Sequence, residues 1–347
     1  MTSIELLTED TWTTLLRHLG CPIMFKMLTL TSKDIRHHTK HFISVNKINM
    51  YFDCGKIAFE GYLEILKWAK HNDYNFYSSF ICSCAASGGH LNVIQWALAN
   101  NCELDHFTYD NAAENGHMHI LKWAFENQKH ANIYHGANIC SYAAGSGHID
   151  ILMWAREHDC GWDSRVCENA ARGGHFQLLK WARKHGCHWM ESTCEMAAES
   201  GHLNILIWAR ENGCAWDGRT CEKAAINGHL EILIWATENG CPYTWFWPRS
   251  IAICETVIEN GHLEILKWIN KRGHPMPSRI CHLAVLYGHF DILVWARSIG
   301  CNWNDLICQD AARKGHLDIL TWARANSCPW NLYTQAVAKQ KWPDKNF

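Results

Sequence analysis

The sequence predicts an all-α solenoid of about ten stacked helix–turn–helix repeats, preceded by a small helical segment. Three observations carry that prediction. A frame of the form Gly-His-Leu-x-Ile-Leu-x-Trp-Ala recurs with its Trp at 68, 96, 123, 154, 181, 208, 235, 268, 295 and 322. Each Trp lies seven residues after a Gly, and the residue following that Gly is His in nine copies and Tyr62 in the first. Successive copies are mostly 27 residues apart, with steps of 28, 31 and 33 elsewhere, and a period in this range marks a stacked array of supersecondary units. Seven copies also place an Ala-Ala pair shortly before the Gly, where small side chains let neighbouring helices approach closely.

Residues 1–45 lack the period. Trp12, Leu15, Leu16 and Leu19 read as one helix, Gly20-Cys21-Pro22 as a break, and Phe25, Met27, Leu28 and Leu30 as a second segment. Residues 46–330 form the array, and 331–347 a C-terminal cap or tail. Asp217 to Cys241 serves as the type repeat. Asp217 or Gly218 can cap a short helix, with Ser164, Ser278 and Asp305 at the equivalent place in other copies. Cys221, Ala224 and Ala225 then share one helical face. Gly228 can take the left-handed conformation that ends a helix. The second helix carries Leu230, Ile232, Leu233, Trp235 and Ala236, an apolar surface too broad for one contact, so neighbours must cover it on two sides. Gly240 closes that helix. Such a hairpin cannot bury its apolar faces alone, and only stacking completes it.

Composition narrows the functional classes. The net charge is -2 and no long Lys/Arg run appears, which argues against a basic stripe for nucleic acid. No apolar stretch reaches the 18 or so residues that a membrane span requires. The opening Met-Thr-Ser-Ile-Glu has no basic region leading into an apolar one, so no secretory signal is expected. The expectation is an intracellular, cytoplasmic monomer that binds no nucleic acid, no membrane and no cofactor.

The 18 Cys follow the repeat grid. Nine lie eight residues before the His or Tyr62 position, seven lie six residues after the ladder Trp, and only Cys21 and Cys84 fall outside. Cysteine here fills small buried apolar slots. Equivalent slots in neighbouring repeats should stand about 8–10 Å apart, the spacing of packed helices, beyond the ~7 Å that a disulfide spans between Cα atoms. Free thiols are therefore expected. The Cys-x6-Cys pairs 160/167, 187/194, 214/221 and 301/308, each followed by His, invite a zinc reading. Structural zinc sites favour ligand pairs two to four residues apart, so this spacing fits poorly.

These residues carry a resemblance. The run from Asp217-Gly-Arg-Thr through Gly228-His-Leu-Glu-Ile-Leu to Asn239-Gly240 resembles an ankyrin repeat, over about 54 to 330. The period is shorter, Cys stands in the usual Pro place, and Trp replaces a Leu. The array most resembles the shortened ankyrin-like repeats of large DNA viruses of amoebae and some protists, which would place the protein in a host cytoplasm. Likewise Leu15-Leu16-Arg17-His18-Leu19 through Ser32-Lys33-Asp34-Ile35-Arg36 is similar to an F-box, a small helical module that docks the Skp-type linker subunit of cullin–RING ubiquitin ligases. On that resemblance Leu15, Leu19, Phe25 and Leu28 would face the linker. Read from the residues alone, the same segment is a cap for the array.

The remaining candidates concern partner binding. Glu168, Glu195, Glu222 and Glu255 share the place after the first-helix Cys and would line a concave face as an acidic row for a protein target. The alternative is that they favour the helix dipole without a partner. Trp245, Phe246 and Trp247 lie in an insertion that the array does not need, as a contact patch or an aromatic flap over a thin edge. The Trp ladder reads as core packing, with base stacking as its rival, and the repeated His as a turn residue bonded to backbone near the hairpin. No phosphate loop, nucleophile elbow or metalloprotease motif is present, and no enzyme is expected. The leading function is an interaction protein that recruits a target to a ubiquitin ligase. The alternatives are a scaffold without that link and a Cys/His metal or redox protein.

Overall fold

The computed structural model describes residues 54–71, 78–127, 138–242 and 249–345. Every regular element among them is an α-helix. The N-terminal segment with Leu15, Leu19, Phe25 and Leu28, and the insertion with Trp245, Phe246 and Trp247, lie outside the described residues. The chain divides into two compact units, Met1–Val166 and Cys167–Phe347.

In the first unit the helices are α1 (Cys54–Phe59), α2 (Leu63–His71), α3 (Ser78–Ser87), α4 (Leu91–Leu98), α5 (His106–Glu114), α6 (Met118–Asn127), α7 (Ile139–Ser146) and α8 (Ile149–Glu157). The boundary falls within α9 (Ser164–Arg172). The second unit continues with α10 (Phe176–Lys184), α11 (Glu191–Glu199), α12 (Leu203–Glu211), α13 (Gly218–Ile226), α14 (Leu230–Glu238), α15 (Arg249–Glu259), α16 (Leu263–Lys271), α17 (Ile280–Tyr287), α18 (Phe290–Ser298), α19 (Asp305–Lys314), α20 (Leu317–Ala325) and α21 (Leu332–Lys341). Odd-numbered helices open each repeat and even-numbered ones close it. Within a unit opening helices pack on one another, as α3 does on α1 and α5, and on the closing helix of their own hairpin, as α3 does on α4. This is a helical repeat solenoid.

Helices this short are not stable alone, so packing must hold them. The opening helices bury a β-branched residue, the Cys slot and the Ala pair, as with Thr220, Cys221, Ala224 and Ala225. The closing helices bury the Ile-Leu pair and the Ala after the Trp, as with Ile205, Leu206 and Ala209. The ladder Trp is not the core residue that its sequence slot implies. Trp154 is 9% exposed and counts as buried, but Trp96, Trp123, Trp181, Trp208, Trp235, Trp268, Trp295 and Trp322 are only half-buried. The reason is angular. The Ile, Leu and Ala at positions three, four and seven after the His occupy the inward stripe, and a Trp at position six lands on its flank.

Three caps sit one residue away from the sequence reading, two of them earlier and one later. Asp217 does cap α13, accepting from the Arg219 amide at 2.9 Å. For α9, however, Asp163 rather than Ser164 accepts from the Arg165 amide. Asn304 rather than Asp305 precedes α19, and Arg279 rather than Ser278 precedes α17. Asp105 and Asn331 cap α5 and α21 by accepting from the Thr108 and Thr334 amides.

The last described helix, α21, occupies an opening-helix slot. Thr334 and Ala338 are buried on it, whereas Gln335 and Lys339 stand where a full repeat has Cys and the second Ala. Polar residues in those slots suit the end of a stack.

Candidate functional site

A repeat array offers surfaces, so the site must be built from the register that each surface inherits. The glycine-histidine turn fixes that register. Gly201 ends α11 at φ +82, and the next repeat's His229 ring lies so close that a Cβ on Gly201 would meet its Cε1 at 2.7 Å. The Nε2 of His229 lies 3.1 Å from the Glu199 carbonyl, a contact that requires a proton on Nε2. The same link joins His117 to Ser87, His148 to Glu114, His202 to Arg172 and His289 to Glu259, at 2.8–3.1 Å. The expected turn role of this His is thus a bond to the previous repeat, two residues before its Gly. At the end of the array Lys341 takes the His position, its Nζ donating to the Arg313 carbonyl at 2.6 Å. Burial lowers the pKa of His117 and of His262 below the ordinary imidazole value, and neighbouring histidines push the same way.

The flank beside the closing helices holds a second device that the sequence reading missed. Trp162, Trp189, Trp216, Trp303 and Trp330 each follow a ladder Trp by eight residues, and an Arg follows that ladder Trp by two in the same five copies. In each the guanidinium lies over the loop Trp, 4.0 Å from the ring centroid for Arg183 on Trp189 and 4.2 Å for Arg210 on Trp216. Arg183, Arg210 and Arg297 also donate to the carbonyls of Cys187, Cys214 and Cys301. Three of the loop Trp then meet the next ladder Trp edge-on, Trp189 with Trp208 at 5.6 Å, and Trp216 with Trp235 and Trp303 with Trp322 at 5.7 Å. The co-occurrence of Arg and the second Trp was a signal available in the sequence.

The opening helices present their remaining face outward, at positions two before, two after and five after the Cys slot. In the first unit that face carries exposed aromatics among polar residues such as Lys56 and Glu114. Phe80 and Phe107 hold the same position on the adjacent helices α3 and α5, and are 63% and 52% exposed. Phe59 on α1 and Tyr142 on α7 are exposed on the same face.

In the second unit the face is charged and cross-linked. Ser192 donates to Glu168 at 2.7 Å, Arg219 lies 3.6 Å from Glu195, and Arg279 lies 3.5 Å from Glu255. In each case the partner is the outward residue at the start of the following opening helix. Asp110 of the first unit occupies the same slot and accepts from the Asn138 amide at 2.7 Å. Glu222 holds this slot on α13 and is half-buried. Glu195 is buried, and desolvation raises its pKa despite the nearby Arg219. The acidic residues therefore tie helix to helix, and further contacts link Lys223 to Glu199 and Tyr287 to Glu259. Among the described residues no group of three or more His, Cys, Asp or Glu is placed to hold a metal, and no helix is long and apolar enough to cross a membrane.

Comparison with known proteins adds little to this geometry. No family model matches the sequence, and no curated protein matches it. Among solved structures, the ankyrin repeat domain of human ASB11 is similar over 46% of this chain and 83% of that one, with 17% identity and a TM-score of 0.37. The functional reading rests on the chain's own surfaces.

Proposed function

We propose that the chain is a protein–protein interaction scaffold that captures a protein target on the outward face of its opening helices. The observation that carries this reading is the set of exposed aromatics on the first unit, with Phe80 and Phe107 at the same position on adjacent helices and both more than half exposed. Large aromatics anchor many interfaces when a partner desolvates them, and an array that has already buried its inward faces does not need these rings outside. On the second unit Glu222 adds a polar contact of its own and Trp245, Phe246 and Trp247 a further one, while Glu168, Glu195 and Glu255 are engaged by Ser192, Arg219 and Arg279. The finer reading is an adaptor in which Leu15, Leu19, Phe25 and Leu28 dock a Skp-type linker and so bring the captured target to a ubiquitin ligase. It is supported by the F-box-like run alone.

The experiment is a pull-down with the purified full chain, comparing wild type with the Phe80→Asp/Phe107→Asp double variant and with Phe25→Asp. Both rings are exposed, so the double variant should keep the wild-type thermal transition and lose the target. Phe25→Asp should keep the target and lose recombinant linker subunit. Target capture unchanged by the double variant contradicts the surface assignment. Failure of wild type to bind the linker contradicts the adaptor role and leaves the scaffold.

A further inference from the structure

The cysteines that the fold brings together are twenty residues apart in sequence, not seven. In the second unit the thiol on an opening helix and the thiol in the loop that closes the same hairpin are neighbours that perturb each other's ionisation in four pairs: 167/187, 194/214, 221/241 and 308/328. All eight residues are buried and carry free thiols. The helix cysteine is the fourth residue of its helix in each case. The loop thiol reaches the carbonyl just before that helix, Cys214 to Met190 at 3.3 Å, Cys241 to Asp217 at 3.2 Å and Cys328 to Asn304 at 3.4 Å. In these three pairs both sulfurs thus converge on one helical turn, whereas the Cys187 thiol lies 3.6 Å from the His188 carbonyl beside it. The loop side is held firmly, since the Cys187, Cys214 and Cys328 amides donate to Ala182, Ala209 and Ala323, and Arg183 and Arg210 bind the Cys187 and Cys214 carbonyls.

We propose that these four pairs are modification sites at which hydrogen peroxide converts two thiols into a disulfide within one hairpin. One sulfur, as thiolate, attacks a peroxide oxygen; the O–O bond breaks and the departing hydroxide takes up a proton to become water. The resulting sulfenic acid is attacked by the partner sulfur, the S–S bond forms, and the sulfenic oxygen leaves as the second water. Two thiols and one peroxide give one disulfide and two waters, with both electrons supplied by the pair.

The pair is suited to the first step because one thiol eases the other's ionisation, with Arg183 and Arg210 adding positive charge nearby. The second proton is then held more tightly, as expected of two coupled groups. Burial makes the reaction slow, since reagents reach the sulfurs only when a hairpin opens. Each product disulfide closes a loop of about twenty residues and so restricts the unfolded chain. Cys254 provides a built-in contrast. It fills the helix slot of its repeat, but His274 stands twenty residues later, and burial pushes its thiol up to about 12.

The test exposes the folded full chain to hydrogen peroxide, alkylates the remaining thiols and maps linkages by mass spectrometry without reduction. The expected result is 167–187, 194–214, 221–241 and 308–328 linkages, Cys254 recovered alkylated, and a rise in Tm that dithiothreitol reverses. Cys214→Ser should delete the 194–214 linkage and leave the other three. Should that variant not fold, Cys194→Ala serves instead. Linkages between cysteines seven apart, such as 187–194, would overturn the proposal. So would pairs that stay reduced, or pass only to higher sulfur acids, at peroxide levels that oxidise the urea-unfolded chain.

Discussion

At the scale of single residues, two glycines in each repeat look alike in sequence and answer to different constraints. Gly213 and its counterparts Gly186, Gly240, Gly273 and Gly300 sit at positive φ with nothing near a hypothetical Cβ. Where this slot lacks Gly, Asn101, Asp159 and Ser327 adopt the same left-handed backbone. Gly201 has positive φ and the His229 ring against it. Gly213→Ala should therefore cost about 1–2 kcal/mol, the left-handed penalty, and Gly213→Asn less. Gly201→Ala should cost clearly more than Gly213→Ala, because the ring must also move. Urea titration of the three variants checks the order, and equal costs for Gly201→Ala and Gly213→Ala would remove the His–Gly contact from the account. The sequence told that Gly201 ends a helix. It did not tell that the next repeat's His rests on it, because that contact joins residues 28 apart and leaves no local signature.

At the scale of the element, the closing helix shows where periodicity informs and where it misleads. Its extent and its burial of Ile205, Leu206 and Ala209 follow from the 3.6-residue period. At the Trp slot residue type and angle point to different places. Trp is large and apolar, but position six lies beside the inward stripe, and there Trp208 packs on Phe176 and Trp189 rather than in the core. Leu206→Ala should cost 2–5 kcal/mol or so, the range for a buried Leu, and Trp208→Ala about 2–3 kcal/mol, below the ~3–5 of a fully buried aromatic. Chemical denaturation of both variants decides the matter, and a Trp208→Ala loss well above that of Leu206→Ala would restore the Trp ladder to the core. The outward face of the opening helices was legible only in part. Glu168, Glu195 and Glu255 were visible as a row, but their engagement by Ser192, Arg219 and Arg279 depends on the next repeat's register.

At the scale of the whole molecule, the histidine links make stability depend on pH. His117 and His262 titrate lower in the folded chain than the ~6.5 of a free imidazole. The unfolded chain then binds more protons as pH falls through 6.5 toward the depressed folded values, so stability present above that window is lost within it. The urea midpoint should fall between pH 7.5 and 5.5, and His117→Gln should flatten that fall. A midpoint independent of pH over this range would show that these rings are not held neutral by the fold. The larger claim is that the first unit offers its exposed outward aromatics to a protein partner. Its most direct measurement places a photo-crosslinking amino acid singly at Phe80, at Phe107, and at the control positions Gln95 and Lys122 on closing helices. The account predicts partner adducts from 80 and 107 and none from 95 and 122. Adducts from the closing-helix positions, with none from 80 or 107, would contradict it.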